Sequence, residues 1–125
     1  MFLALLFLVA CGSEVAIVVE TAECTDYDFD SPEADSIEVT VVGDDWHVSH
    51  KGVFQGCADM FDPDIAGKGR VITVREFWDP RTEDDCTVCY APTIILESPP
   101  PGSYEVGWYV GESASAVDVV SFEVE

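Results

Sequence analysis

Five cysteines and two histidines are the residues of this 125-residue chain best suited to metal or covalent chemistry. Cys86 and Cys89 stand three positions apart, Cys57 lies upstream, and His47 and His50 precede it. Two closely spaced thiolates supply half of a tetrahedral shell, and a third thiolate with an imidazole completes it. His50, Cys57, Cys86 and Cys89 therefore make a candidate Cys3His site for zinc or copper. Oxidation gives the same sulfurs a different fate. Cys24, Cys57, Cys86 and Cys89 are an even set, the signature of a disulfide framework where the compartment is oxidising. In that case one bridge is expected from Cys57 to Cys86 or Cys89, with Cys24 taking the remaining partner. A thioredoxin-like redox role needs a helix after the first cysteine to lower its pKa, and no helical period follows Cys86.

Carboxylates are the next resource. Asp26, Asp28 and Asp30 alternate like the first oxygen ligands of a calcium loop, but Ser31 stands where that loop needs Gly and Ile37 where it needs a bidentate Glu. Asp59, Asp62 and Asp64 form a second acidic group, and Glu83, Asp84 and Asp85 a third. With 25 acidic residues against 5 basic ones, acidic clusters arise by composition alone. For the same reason no pair of carboxylates can be singled out for general acid and base work, which needs two groups in different environments. The sequence has no Gly-x-Ser-x-Gly elbow, no phosphate-binding glycine loop and no His-Glu-x-x-His. The formal charge of -20 excludes nucleic acid as the expected partner, because phosphates are held mainly by Lys and Arg. Trp78, beside Phe77 and before Asp79-Pro80, is the expected exposed aromatic contact for a protein or glycan.

The N-terminus bears on the compartment. Residues 1–10, MFLALLFLVA, are all apolar. That run is too short to span a bilayer and has the length of the apolar core of a secretory signal. It ends in Leu8-Val9-Ala10-Cys11, which resembles the lipobox of bacterial lipoproteins. The resemblance implies a diacylglyceryl group on the Cys11 sulfur, cleavage before Cys11 and acylation of the new amine. Two or more acyl chains give stable anchoring. Gly12 in place of Asp implies, by the same resemblance, the outer membrane. The departure from the pattern is the lack of Lys or Arg ahead of the apolar run, and the competing reading of residues 1–10 is a buried hydrophobic strand.

The elements that position these groups read as strands. Residues 11–125 hold one Leu, seventeen Val and six Ile, a β-branched composition suited to a pleated surface. Ile37, Val39 and Val41 alternate with polar residues, Gly43-Asp44-Asp45 supplies a turn, and Trp46, Val48 and His50 share a face. His47 and His50, three apart, point to opposite faces of a strand. Ile72 and Val74 mark another strand, Thr93 to Glu97 a short one. Tyr104, Val106, Trp108 and Val110 alternate, as do Val120, Phe122 and Val124, with Gly111 to Ser115 as the hairpin between them. Residues 14–35 carry eight acidic groups and no basic one, and read as a solvated tether, with Val15 to Val19 as an optional first strand.

The segment Ser98-Pro-Pro-Pro-Gly-Ser-Tyr104 before an alternating strand resembles the corner of immunoglobulin-like and fibronectin III-like sandwiches. The resemblance spans residues 36–125 and implies that the Tyr104 ring packs in the core while its hydroxyl bonds the backbone upstream. The expectation is thus an all-β protein: a signal over 1–10, an acidic tether or extension over 11–35, and an antiparallel β-sandwich of about seven strands over 36–125. The expected role is a non-enzymatic interaction or structural module of the cell envelope, without a cofactor, held to the outer membrane by its lipid. Its alternative is a zinc- or copper-binding lipoprotein.

Overall fold

The computed structural model describes residues 4–10, 13–24, 36–57, 59–79 and 86–125. Every regular element among them is a strand: β1 (Ala4–Ala10), β2 (Ser13–Glu23), β3 (Ser36–Val42), β4 (Asp45–Lys51), β5 (Val53–Gly56), β6 (Met60–Phe61), β7 (Asp64–Lys68), β8 (Val71–Glu76), β9 (Trp78–Asp79), β10 (Thr87–Glu97), β11 (Gly102–Val110) and β12 (Asp118–Val124). One sheet runs β1-β2-β10-β4-β3, with β5 also on β10; the other runs β12-β11-β8-β7; β6 and β9 form a small third ladder. All ladders are antiparallel except β8 with β11. The β-sandwich expected from the sequence is present; over residues 36–125, where about seven strands were expected, the described residues form ten.

The period-2 rows face one another across the sandwich. Ile17, Leu96, Trp46 and Val41 lie in register across the first sheet, as do Val19, Ile94, Val48 and Val39. Val120, Val106 and Ile72 form the matching row of the second. Ile17, Val48, Val74, Ile94, Leu96, Val106 and Trp108 are sealed from solvent. Each aliphatic side chain so buried contributes about 1.5–3 kcal/mol relative to exposure. Two hairpins are set by glycine: Gly43 and Gly69 each take φ 63° at the first position of a two-residue loop, a conformation that costs a side chain with a Cβ. Arg75 fastens the β11–β12 turn, donating to the carbonyls of Gly111 and Ser113 at 3.0 and 2.9 Å.

The domain boundary at Ser36 is corrected. The first sheet already includes β2, whose Val15, Ile17 and Val19 are core residues. The optional strand is therefore the one formed: its three β-branched side chains at period 2 are buried, while Glu20 and Glu23 keep access to solvent. The apolar run of residues 4–10 pairs antiparallel with β2, from Ala4 opposite Val19 to Ala10 opposite Ser13.

Candidate functional site

β10 organises the sulfur chemistry. It has β2 on one side and β5 on the other, with Glu23 opposite Tyr90 and Gly56 opposite Thr87. These registers carry Cys24 to Cys89 and Cys57 to Cys86, and both pairs are disulfides with Cα atoms 5.4 Å apart. The backbone seals each pair: Cys24 N–H donates to the Cys89 carbonyl at 2.9 Å, and Cys57 N–H to that of Cys86 at 3.2 Å. The expected pattern, Cys57 to one of the downstream pair and Cys24 to the other, is the one found. The Cys3His alternative is corrected. Cys86-x-x-Cys89 lies along extended chain, where residues three apart face opposite sides, so the two sulfurs reach different neighbours instead of one ion. His50, the fourth member of that set, has a different partner.

That partner is Glu76, and the alternation explains why. Val48 and His50 share the inward face of β4, Val74 and Glu76 that of β8, Val106 and Trp108 that of β11. Three apolar rows thus end in a polar or aromatic side chain at the same end of the sandwich. His50 Nδ1 lies 2.6 Å from Glu76 Oε1, and Trp108 Nε1–H donates to the same oxygen at 2.9 Å. Trp78 Nε1–H, from β9, donates to Oε2 at 2.7 Å. His50 and Glu76 are 2% and 3% exposed. Burial acts most strongly on the Glu76 carboxyl and pushes its pKa up. Hydrogen bonds from His50, Trp78 and Trp108, with the His50 charge, outweigh it and hold the group below the usual carboxylate range.

Aromatic rings enclose this carboxylate. Phe61 lies against Trp108 with centroids 6.1 Å apart and against Trp78 at 5.5 Å, and Trp78 stacks on Tyr90 at 5.4 Å. Tyr90 donates its hydroxyl to the Cys57 carbonyl at 2.7 Å, joining the cluster to the disulfide end. Burial, then Glu23 and Asp59, push the Tyr90 phenol up. A carboxylate that orients a histidine is the pairing that prepares a general base. Here both partners are closed to solvent and two indoles share the carboxylate, so the arrangement works as a clasp between the sheets.

The structure relocates Trp78. It is half-buried, packed on the core and bonded to Glu76, and so is not the exposed aromatic contact the sequence suggested. Cys11 and the calcium candidates Asp26, Asp28 and Asp30 lie outside the described residues. Among the described residues, no three His, Cys, Asp or Glu side chains are grouped to hold a metal ion. Glu76 was missed in the sequence; its signal was the row Ile72, Val74, Glu76, where a charged residue occupies a core position. Tyr104 takes the part expected of it. It is 2% exposed, and its hydroxyl donates to the Pro100 carbonyl at 2.6 Å where the chain crosses between sheets. Beside it a surface cleft of about 450 Å³ is bordered by Arg70, Ser103, Glu105, Ser121 and Glu123. The chain matches no protein-family model, no curated protein and no solved structure.

Proposed function

We propose that this chain is a lipid-anchored, non-enzymatic module of the bacterial cell envelope, exported, cut before Cys11 and held at the outer membrane by acyl chains on that cysteine. The observation that carries the reading is the apolar run of residues 1–10 ending in Leu8-Val9-Ala10-Cys11. The disulfides Cys24–Cys89 and Cys57–Cys86 support it, since such bridges persist in oxidising compartments. The sandwich is of immunoglobulin or fibronectin III type, a reading supported by the Tyr104 corner. The module works by binding a protein or glycan, without a cofactor. The enclosed His50–Glu76 pair supports a structural rather than a chemical use of the most polar group of the core.

The test is membrane fractionation with intact mass. The wild-type protein is expected in the membrane fraction, lacking residues 1–10 and carrying acyl mass on Cys11. The Cys11→Ser variant is expected to keep those residues and its sulfur-linked lipid to be gone. A wild-type mass equal to the unprocessed, unmodified chain overturns the proposal.

A further inference from the structure

β2 has two edges with different fates. One is paired to β10 from Ala16 to Glu23, the other to β1 from Ser13 to Val19. Ala10 is opposite Ser13, so the bond before Cys11 lies in the two-residue link between the paired strands. If the leader is removed there, as the proposed function has it, β1 departs and β2 becomes the edge of a six-stranded sheet reduced by one. An open edge presents a row of unpaired backbone N–H and C=O groups, a template for another strand. Proteins blunt such edges with Lys, Pro or a bulge. The β2 sequence SEVAIVVETAE has no Lys and no Pro, and its ladder with β10 runs without a bulge from Ala16 to Glu23. Val15, Ile17 and Val19, 0–2% exposed, face the core, and in the β1 register they stand opposite positions 8, 6 and 4.

We infer that the edge of β2 freed by leader removal captures an extended, cationic segment of a partner protein, antiparallel to β2, with apolar residues opposite Val15, Ile17 and Val19 and Lys or Arg opposite Glu14 and Glu20. Charge selects this occupant. All charged residues of β2 are acidic, Glu14, Glu20 and Glu23, and opposite charges directly across a strand pair stabilise it while like charges oppose it. A second copy would bring two chains of formal charge -20 edge to edge. The inference rests on the proposed processing, and it deepens that reading by naming the partner chemistry. Backbone pairing supplies the affinity and the alternating side chains the selectivity, as in other strand additions. Two residues of chain reach at most about 7 Å, so capture takes place beside the lipid surface.

The probe is a fluorescent synthetic peptide copying residues 3–10 with Leu3→Lys and Val9→Lys, which in the β1 register sets lysines opposite Glu20 and Glu14. It is titrated by anisotropy against the processed protein purified from membranes in detergent, its mass recorded first. Saturable binding is expected, weakened about tenfold by Glu14→Lys with Glu20→Lys in the protein. The unprocessed Cys11→Ser chain, whose β1 occupies the edge, is expected not to bind. Processed protein that ignores the peptide, or binds a copy with Leu3→Glu and Val9→Glu equally well, overturns the inference alone. Processed protein that runs as a β2-dependent homodimer on native mass also overturns it, in favour of self-pairing. A wild-type chain that retains residues 1–10 overturns both the inference and the anchoring beneath it.

Discussion

His50 Nδ1 and Glu76 Oε1, 2.6 Å apart, join the two sheets of the sandwich through its buried imidazole and buried carboxylate. Cutting Glu76 back removes the acceptor of two indole N–H groups and the carboxylate that His50 Nδ1 faces. Glu76→Ala is expected to destabilise the protein by about 3–5 kcal/mol, the cost of breaking a buried pair on one side. Urea denaturation checks this, and a midpoint within error of wild type would refute the clasp.

The acid limb of stability follows from the same group. Glu76 is depressed in the folded protein from an ordinary value of 4.5. Between the folded and unfolded values the unfolded chain binds the extra proton, so stability falls as pH falls. The contribution is complete above about 4.5 and disappears as pH drops through the lower folded value. The quantity to follow is the difference in unfolding free energy between wild type and Glu76→Gln from pH 7 downward. It should shrink below about 4.5; a constant difference would mean that the charge of Glu76 is not what its donors hold.

The two disulfides close loops of unequal length, with sequence separations of 65 and 29. Each is expected to contribute about 2–4 kcal/mol, and loop entropy makes Cys24–Cys89 the more valuable by about 0.7 kcal/mol. Cys24→Ser with Cys89→Ala should lower the denaturation midpoint more than Cys57→Ser with Cys86→Ala. Peptide mapping of the unreduced protein should find these two linkages; Cys57 joined to Cys89 would disprove the β10 arrangement.

Tyr104→Phe keeps the ring in the core and removes one hydrogen bond to Pro100, at a cost of about 1 kcal/mol. A thermal melt of the variant measures it. An unchanged Tm would show that the hydroxyl does not hold the crossing between sheets.

Much of the sandwich was legible because period 2 survives wherever one face is dry. Ile37 to Val39, Trp46 to His50 and Tyr104 to Trp108 showed their inward rows directly, while the alternation ran on to Val41 and Val110, which are exposed, and Pro-Gly-Ser-Tyr marked the corner. Where strands were missed, local chemistry masked the pattern. Glutamates at positions 14, 20 and 23 made β2 look like solvated chain, although the core takes only Val15, Ile17 and Val19 from it. Pro92 shortened β10 on paper to Thr93–Glu97. In the fold Pro92 falls between the ladder of β5, which ends at Tyr90, and that of β4, which begins at Thr93, so the strand passes through it. The clasp was beyond reach because its four members come from β4, β8, β9 and β11. Trp78 looked exposed beside Asp79-Pro80, and only tertiary pairing turns its indole toward Glu76.

The bridge from Cys24 to Cys89 also determines how the molecule carries load. A pull applied between the two ends of the chain passes from β2 into β10 through the sulfur atoms and bypasses the 65-position loop between them. The segment from Cys24 to Cys89, with its β3–β4 and β7–β8 hairpins and His50 and Glu76, cannot be drawn out lengthwise while that bond holds. Under tension the chain can lengthen only outside the bridged pair, by drawing out the strands ahead of Cys24 at one end or β12 and then β11 at the other, so on the C-terminal side the tyrosine corner is the last hydrogen-bonded structure to meet the load before β10.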